Sequence, residues 1–286
     1  MSADVHPPIH AVRAAVERAL EEDLTPLGDL TSSLLDDGAT ATAEFVVRDA
    51  GVLAGVRCAT ESFAQVDASV EVTWSADDGD AVAAGQHVAM VRGRLAPILT
   101  AERTALNFLG HLSGIATLTR LFVDAAGDGA RVWDTRKTTP GLRTLEKAAV
   151  RAGGGVNHRG NLSDWILLKD NHLTLLGIEE AVRRSRQRWP ARTVHVECDS
   201  LDQVAQALAA GADALLLDNM STDDVRRAVE LADDRPGRRP LLEVSGGITR
   251  ETAGSYARTG VDLMSVGAIT NSAPVLDIGV DLRVEA

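Results

Sequence analysis

At residues 131–159, RVWDTRKTTPGLRTLEKAAVRAGGGVNHR, the pattern of the chain changes. A short apolar strand, Val132-Trp133, drops into a polar turn, Asp134-Thr135-Arg136-Lys137-Thr138-Thr139-Pro140-Gly141. A helical segment over 142–152 follows, stopped by Gly153-Gly154-Gly155, and the stretch closes on Asn157-His158-Arg159. Strand, turn and helix then recur. Apolar strands are predicted at 166–168, 194–196, 214–217, 241–244 and 263–266, with helices such as 178–188 and 202–210 between them. This alternation predicts a parallel sheet, open or closed into a barrel.

Toward the N-terminus the pattern differs. Ile9, Val12, Val16 and Leu20 recur at helical spacing and predict an amphipathic helix over 9–23. Gly28-Asp29-Leu30-Thr31-Ser32 is a turn with capping chemistry. Short strands are expected at 43–47, 51–55, 70–74 and 87–91, separated by turns such as Asp77-Asp78-Gly79-Asp80. That block predicts a small α+β domain with an antiparallel sheet. A long helix over 97–122 follows, with Gly110 and Gly114 as candidate breaks.

The 286 residues carry a formal net charge of -12 and are 45% hydrophobic. Such a chain has material for one large domain or two ordinary ones. The acidic balance argues against nonspecific nucleic-acid binding. The two cysteines, Cys58 and Cys198, lie far apart in no metal-like spacing, which points to a reducing compartment. With no signal-type run and no membrane-length apolar segment, the expectation is a soluble cytoplasmic protein without membrane association.

Against that acidity, residues 135–160 hold the bases Arg136, Lys137, Arg143, Lys147, Arg151 and Arg159, with Glu146 the only acid. The only lysines of the chain are Lys137, Lys147 and Lys169. A compact ammonium suits phosphate, and a planar guanidinium grips carboxylates in bidentate fashion. A small polyanionic ligand explains the cluster economically.

The residues ending the predicted strands carry the same message. They are Asp134 to Lys137, Lys169-Asp170, Glu197, Asp218-Asn219, Ser245-Gly246-Gly247 and Val266-Gly267-Ala268. In β/α barrels the C-terminal ends of the strands hold the active site. The two glycine turns predict phosphate binding, because glycine admits close backbone approach and a following helix offers free N–H groups. Glu197 and Asp218 are candidates for an acid/base pair, for Mg²⁺ ligation or for accepting sugar hydroxyls. His195 shares the face of Glu197 one pleat deeper and reads as an interior histidine satisfied by its neighbours. Arg103 stands on the helix before the barrel, with a solvated helix face as the plain alternative. No nucleophile elbow, zinc motif or Rossmann fingerprint is visible. The residues therefore predict a barrel enzyme that binds a phosphorylated sugar and a carboxylated partner.

These motifs also resemble the quinolinate phosphoribosyltransferase family. The resemblance rests on Glu22-Asp23-Leu24 with Gly28-Asp29-Leu30-Thr31, on residues 101–107 (AERTALN) and on 112–117 (LSGIAT). Stronger strings are 134–141 (DTRKTTPG), Gly153-Gly154-Gly155 with His158-Arg159, and 168–172 (LKDNH), completed by Leu217-Asp218-Asn219 and Ser245-Gly246-Gly247-Ile248. The resemblance implies an α/β fold: an N-terminal α+β sandwich domain over 1–112, joined by the 272–286 tail, and an incomplete (β/α) barrel over 113–271. It implies transfer of phosphoribose from phosphoribosyl pyrophosphate to quinolinate with Mg²⁺, releasing CO₂ and pyrophosphate and making nicotinate mononucleotide for NAD synthesis. By the same resemblance, Arg103, Arg136, His158 and Arg159 hold the two quinolinate carboxylates, Thr135 is a further substrate-binding residue, and Lys137 and Lys169 neutralise the leaving pyrophosphate. Glu197 and Asp218 hold ribose hydroxyls and Mg²⁺; Ser245, Gly246, Gly247, Val266, Gly267 and Ala268 hold the 5′-phosphate. His195 departs from the family, whose members often have an acid there, and puts metal coordination near Glu197 in doubt. No organic cofactor is implied, and the expected assembly is a homodimer with composite active sites. Three alternatives carry other outcomes: a related phosphoribosyltransferase of molybdate operons, a barrel lyase or aldolase with Lys169 as Schiff base, and a non-catalytic sensor of phosphorylated metabolites.

Overall fold

The computed structural model describes residues 5–285. The chain opens with helix α1 (Ile9–Leu24), then β1 (Thr40–Val47), β2 (Gly51–Val52), α2 (Val56–Val66), β3 (Glu71–Trp74), β4 (Ala81–Val82), β5 (His87–Arg94) and α3 (Leu95–Ala126). The alternating part follows with β6 (Arg131–Trp133), α4 (Arg143–Ala152), β7 (Ile166–Leu168), α5 (Asp170–Leu176), α6 (Ile178–Arg188), β8 (Val194–Cys198), α7 (Leu201–Ala210) and β9 (Ala214–Asp218). It ends with α8 (Thr222–Asp233), β10 (Leu241–Ser245), α9 (Arg250–Ala257), β11 (Leu263–Ser265), α10 (Ala268–Asn271) and β12 (Ile278–Glu285). Two compact units result. One comprises residues up to 120, 138–154 and from 268 onward; the other comprises 121–137 and 155–267.

The first unit contains an antiparallel sheet of order β12-β1-β5-β3. The C-terminal strand pairs with β1 along its whole length, Thr40 opposite Glu285 and Val47 opposite Ile278. Strand alternation sends Ala41, Ala43, Phe45 and Val47 inward, where all are buried. They pack with Phe63 of α2 and with Ile98 and Leu109 of α3 in one apolar cluster. Sequence patterning had extended β2 to residue 55 and gave no helix after it. Instead Gly55, at φ +102, turns the chain into α2, and Asp78 Oδ1 accepts the Val56 N–H at 3.0 Å.

α3 runs unbroken through both glycines that had stood as candidate breaks. A Cβ on Gly114 would lie 2.0 Å from the Pro274 carbonyl oxygen, and one on Gly110 would lie 3.1 Å from that of Leu276. The glycines are there so that the C-terminal segment can cross the helix closely. Among the described residues, no helix is long and apolar enough to cross a membrane.

The second unit holds a parallel sheet of order β6-β11-β10-β9-β8-β7. The edge strands β6 and β7 do not pair with each other, so the sheet is an open β/α arrangement. Val156 forms a parallel bridge to Trp133 and extends the β6 edge. Helix faces cover the strands: Ile178, Ala181 and Val182 of α6, Val204, Ala207 and Leu208 of α7, and Val225, Ala228 and Val229 of α8 are buried. The Lys169-Asp170-Asn171-His172 string, expected as a strand end, also starts a helix. Asp170 opens α5, and the His172 ring accepts the Lys169 N–H at 3.2 Å.

Candidate active site

Register decides which side chains share the inner face of the parallel sheet. Leu167 stands opposite His195, Glu197 opposite Leu216, Leu216 opposite Glu243, and Ser245 opposite Asp218. Residues two apart on a strand share a face. Hence His195 with Glu197, Leu216 with Asp218, and Glu243 with Ser245 line one side, and Lys169 continues that side past Leu167. The contacts agree: Lys169 Nζ donates to Glu197 Oε2 at 2.5 Å.

One part of this end gathers carboxylates beside two glycine turns. Asp170, Glu197, Asp199 and Asp218 line an open cavity of about 410 Å³. Asn219 donates its amide to Asp218 Oδ2 at 2.7 Å and fixes that carboxylate. The adjacent glycine turn divides its labour. A Cβ on Gly246 would fall 2.2 Å from Asn219 Oδ1, so Gly246 makes room for Asn219. Gly247, at φ +59, has open space where its side chain would be, so its backbone is the approachable one. At the neighbouring strand, a Cβ on Gly267 would come 3.0 Å from Lys137 Cδ, so the lysine stem lies along that bare backbone. Thr135 Oγ1 accepts the Lys137 N–H at 2.9 Å and shapes the turn.

The other part is cationic and aromatic. Asp134, fully buried, accepts the His158 N–H and the Asn157 amide, each at 2.8 Å, and so ties the 155–160 loop to the end of β6. His158 is buried against two indoles, its ring centroid 5.0 Å from those of Trp133 and Trp165. Arg159 is buried as well. Burial, and then the neighbouring positive charge of Arg136, pull its guanidinium below the ordinary arginine value. Beneath lies Glu243, with Ser265 Oγ donating to its Oε1. Burial alone would raise Glu243, but His158, His195 and Ser265 more than offset it and hold the carboxyl below its ordinary value. Burial pushes His195 down, Glu243 opposing.

The structure brings Lys137, Lys169, Glu197, Asp218, Ser245, Gly246, Gly247, Val266 and Gly267 into one unit with Thr135, Arg136, His158 and Arg159. Arg103, exposed on α3, and Ala268, the first residue of α10, belong to the other unit. So do Arg143, Lys147 and Arg151, which splits the cation-rich stretch in two. Lys147 is buried, and the lone acid Glu146, fully buried, accepts from the Thr139 N–H at 3.1 Å and pairs with His111 at 2.8 Å. His195 is interior, as its strand position predicts, but its Nε2 has no hydrogen-bond partner, so it is only partly satisfied. Sequence reasoning placed Asp134 at a strand end without its tethering role, and missed Glu243 and the Trp133–Trp165 pair, which needed the fold.

An open parallel β/α sheet, with cations, carboxylates and glycine turns gathered at its strand C-termini, defines the class: an anion-handling α/β enzyme site. Comparison with known proteins narrows it. The quinolinate phosphoribosyl transferase N-terminal domain matches residues 29–113, and the C-terminal domain of the same family matches 115–281. A carboxylating nicotinate-nucleotide pyrophosphorylase of Mycobacterium leprae is 44% identical over 277 residues, 95% of this chain and 97% of that protein. A decarboxylating quinolinate phosphoribosyltransferase of Nicotiana tabacum is 36% identical, over 98% of this chain and 86% of that one. The solved nicotinate-nucleotide pyrophosphorylase of Francisella tularensis superimposes with a TM-score of 0.93 at 38% identity, covering 99% of this chain and 100% of that chain. The chain belongs to the quinolinate phosphoribosyl transferase family.

Proposed function

We propose that this chain transfers phosphoribose from phosphoribosyl pyrophosphate to quinolinate, releasing pyrophosphate and CO₂ and forming nicotinate mononucleotide for NAD synthesis. The observation that carries the reading is the neighbouring pair Arg136 and Arg159, in which burial and then the positive charge of Arg136 pull the Arg159 guanidinium below its ordinary value. Two neighbouring guanidinium groups call for a doubly charged ligand, and quinolinate has two carboxylates. His158 and Thr135 complete that subsite. On the opposite side, Lys137 and Lys169 meet the pyrophosphate, Glu197 and Asp218 the ribose hydroxyls, and the Gly247 and Gly267 backbones the 5′-phosphate.

The chemistry follows from charge. As the bond from ribose C1 to pyrophosphate breaks, its electrons leave with pyrophosphate, which the lysines neutralise. The oxocarbenium-like ribose is stabilised by Glu197 and Asp218. The pyridine nitrogen attacks C1 and becomes cationic. That ring then accepts the electron pair of the C–C bond as the adjacent carboxylate leaves as CO₂, and a proton takes its place. Glu197 and Asp218 would hold Mg²⁺; four carboxylates among the cavity's lining residues suit a hard cation, which when bound would neutralise further charge on the pyrophosphate. A Schiff-base role for Lys169 is disfavoured, because its Nζ is engaged by the Glu197 carboxylate at 2.5 Å.

Purified protein given phosphoribosyl pyrophosphate, Mg²⁺ and quinolinate should yield mononucleotide and CO₂ in equal amounts. Mononucleotide without CO₂, or neither, would overturn the reading. The proposal extends to a cytoplasmic homodimer in which Arg103 of each subunit serves the partner's site, since a two-fold interface is reciprocal. Arg103→Ala and Lys137→Ala homodimers should then each be nearly inactive. Mixed with subunit exchange, they should recover about a quarter of wild-type activity, from statistical pairing. Heterodimers with no recovered activity would place Arg103 outside a shared site.

A further inference from the structure

Below the arginine pair, three side chains on three different segments aim at one point. His158 follows α4, His195 lies in β8 and Glu243 in β10, and all three are buried. His195 Nε2 is 3.4 Å and His158 Nε2 3.5 Å from Glu243 Oε2, and the three ligand atoms all lie within 4.8 Å of one another. We propose that His158, His195 and Glu243 bind one divalent first-row transition cation of the zinc class.

The spacing is the first reason. Charge-assisted N–H···O bonds run about 2.7–2.9 Å, so 3.4 and 3.5 Å are too long for good ones. A cation bonded at about 2.0–2.1 Å to nitrogen and oxygen in tetrahedral geometry sets its ligand atoms roughly 3.3–3.4 Å apart. The second reason is the pairing of the buried atoms. His195 Nε2 and Glu243 Oε2 are both buried with no hydrogen-bond partner. With the proton of a neutral His195 on its other ring nitrogen, Nε2 presents a lone pair to the carboxylate oxygen, and two acceptors in contact need a cation between them.

The surroundings fit as well. A ligating carboxylate is itself hydrogen-bonded, and Ser265 fills that place here. Two imidazoles and a carboxylate suit a zinc-class ion, whereas Mg²⁺ prefers oxygen donors such as the carboxylates of Glu197 and Asp218. Three protein ligands leave a fourth position for water or a carboxylate oxygen. Arg159 opposes a second cation nearby, but it acts from a distance while the three ligands bond directly. This assignment does not rest on the proposed reaction.

The test uses the full chain, stripped with a chelator and held in excess Mg²⁺ so that the carboxylates of Glu197 and Asp218 are occupied. Co²⁺ is added and its visible d–d absorption followed. One equivalent should bind with four-coordinate intensity and be displaced by Zn²⁺. His195→Ala, shown folded by circular dichroism, should weaken Co²⁺ affinity at least about ten-fold, the scale seen even for lost outer-shell partners. Should the alanine variant not fold, His195→Gln replaces it. Glu197→Gln should leave Co²⁺ binding unchanged. No saturable signal in the wild type, or wild-type affinity in a folded His195 variant, would overturn the proposal. Catalytic turnover is scored separately, so failure here leaves the assigned reaction standing.

Discussion

Along β1 of the antiparallel sheet the inward residues are Ala41, Ala43, Phe45 and Val47, all buried among carbon. Along β8 and β10 of the parallel sheet the inward residues are His195, Glu197, Glu243 and Ser245. The first sheet uses its inner face for stability alone. The second gives up part of that stability, because burying polar and charged groups is costly unless each finds a partner. What it gains is a set of groups held rigidly at its strand ends, where a reaction can use them. Substitutions in the two sheets should therefore fail in different ways.

The largest effect is expected in the antiparallel sheet. Phe45 is fully buried, 6.1 Å from Phe63 and edge-on to Trp74 at 6.2 Å. Phe45→Ala should cost about 3–5 kcal/mol of stability, read from denaturant unfolding. Turnover per folded molecule should hardly change. A variant that kept its stability but lost turnover would break the division between the sheets.

Next come the lysines at the strand ends. Lys169→Ala and Lys137→Ala should each reduce kcat about 10²–10³-fold, or about 2.7–4 kcal/mol, the usual loss for a donor that stabilises a leaving anion. Both residues are exposed, so unfolding midpoints should stay near wild type. Near-normal kcat in Lys169→Ala would remove the pyrophosphate role.

A smaller effect sharpens the reading of α3. Gly114→Ala sets a methyl against the Pro274 carbonyl oxygen, which is backbone and yields little. The expected loss is about 1–3 kcal/mol of stability with kcat preserved. Thermal melts that match wild type would show that the C-terminal segment can shift to admit it.

How far all this was readable in the sequence differs between the same two regions. The six parallel strands stood out as short apolar runs between helices, and their polar ends were legible residue by residue. Glu243 was not, because in Leu241-Leu242-Glu243-Val244 it is one acid in an apolar run. Its meaning depends on register with β9 and β11 and on a loop more than eighty residues earlier. In the antiparallel region α2 was lost because the run before it was read as continuing strand. The glycines of α3 were ambiguous because propensity marks them as breaks, while tertiary packing is what requires them. Gly246 misled in a similar way: its bare Cα accommodates Asn219, and Gly247 offers the approachable backbone.

The most direct measurement is the ratio of kcat/KM for quinolinate to that for nicotinate, with phosphoribosyl pyrophosphate and Mg²⁺ saturating. Nicotinate lacks one carboxylate and would leave Arg136 or Arg159 facing an unfilled half of the subsite. Sites built to pair with a polar group reject the analogue lacking it by about 10⁴-fold or more. A preference for quinolinate of that order is expected. Comparable values for the two acids would contradict the assignment of the arginine pair to a dicarboxylate, and with it the reaction proposed for this chain.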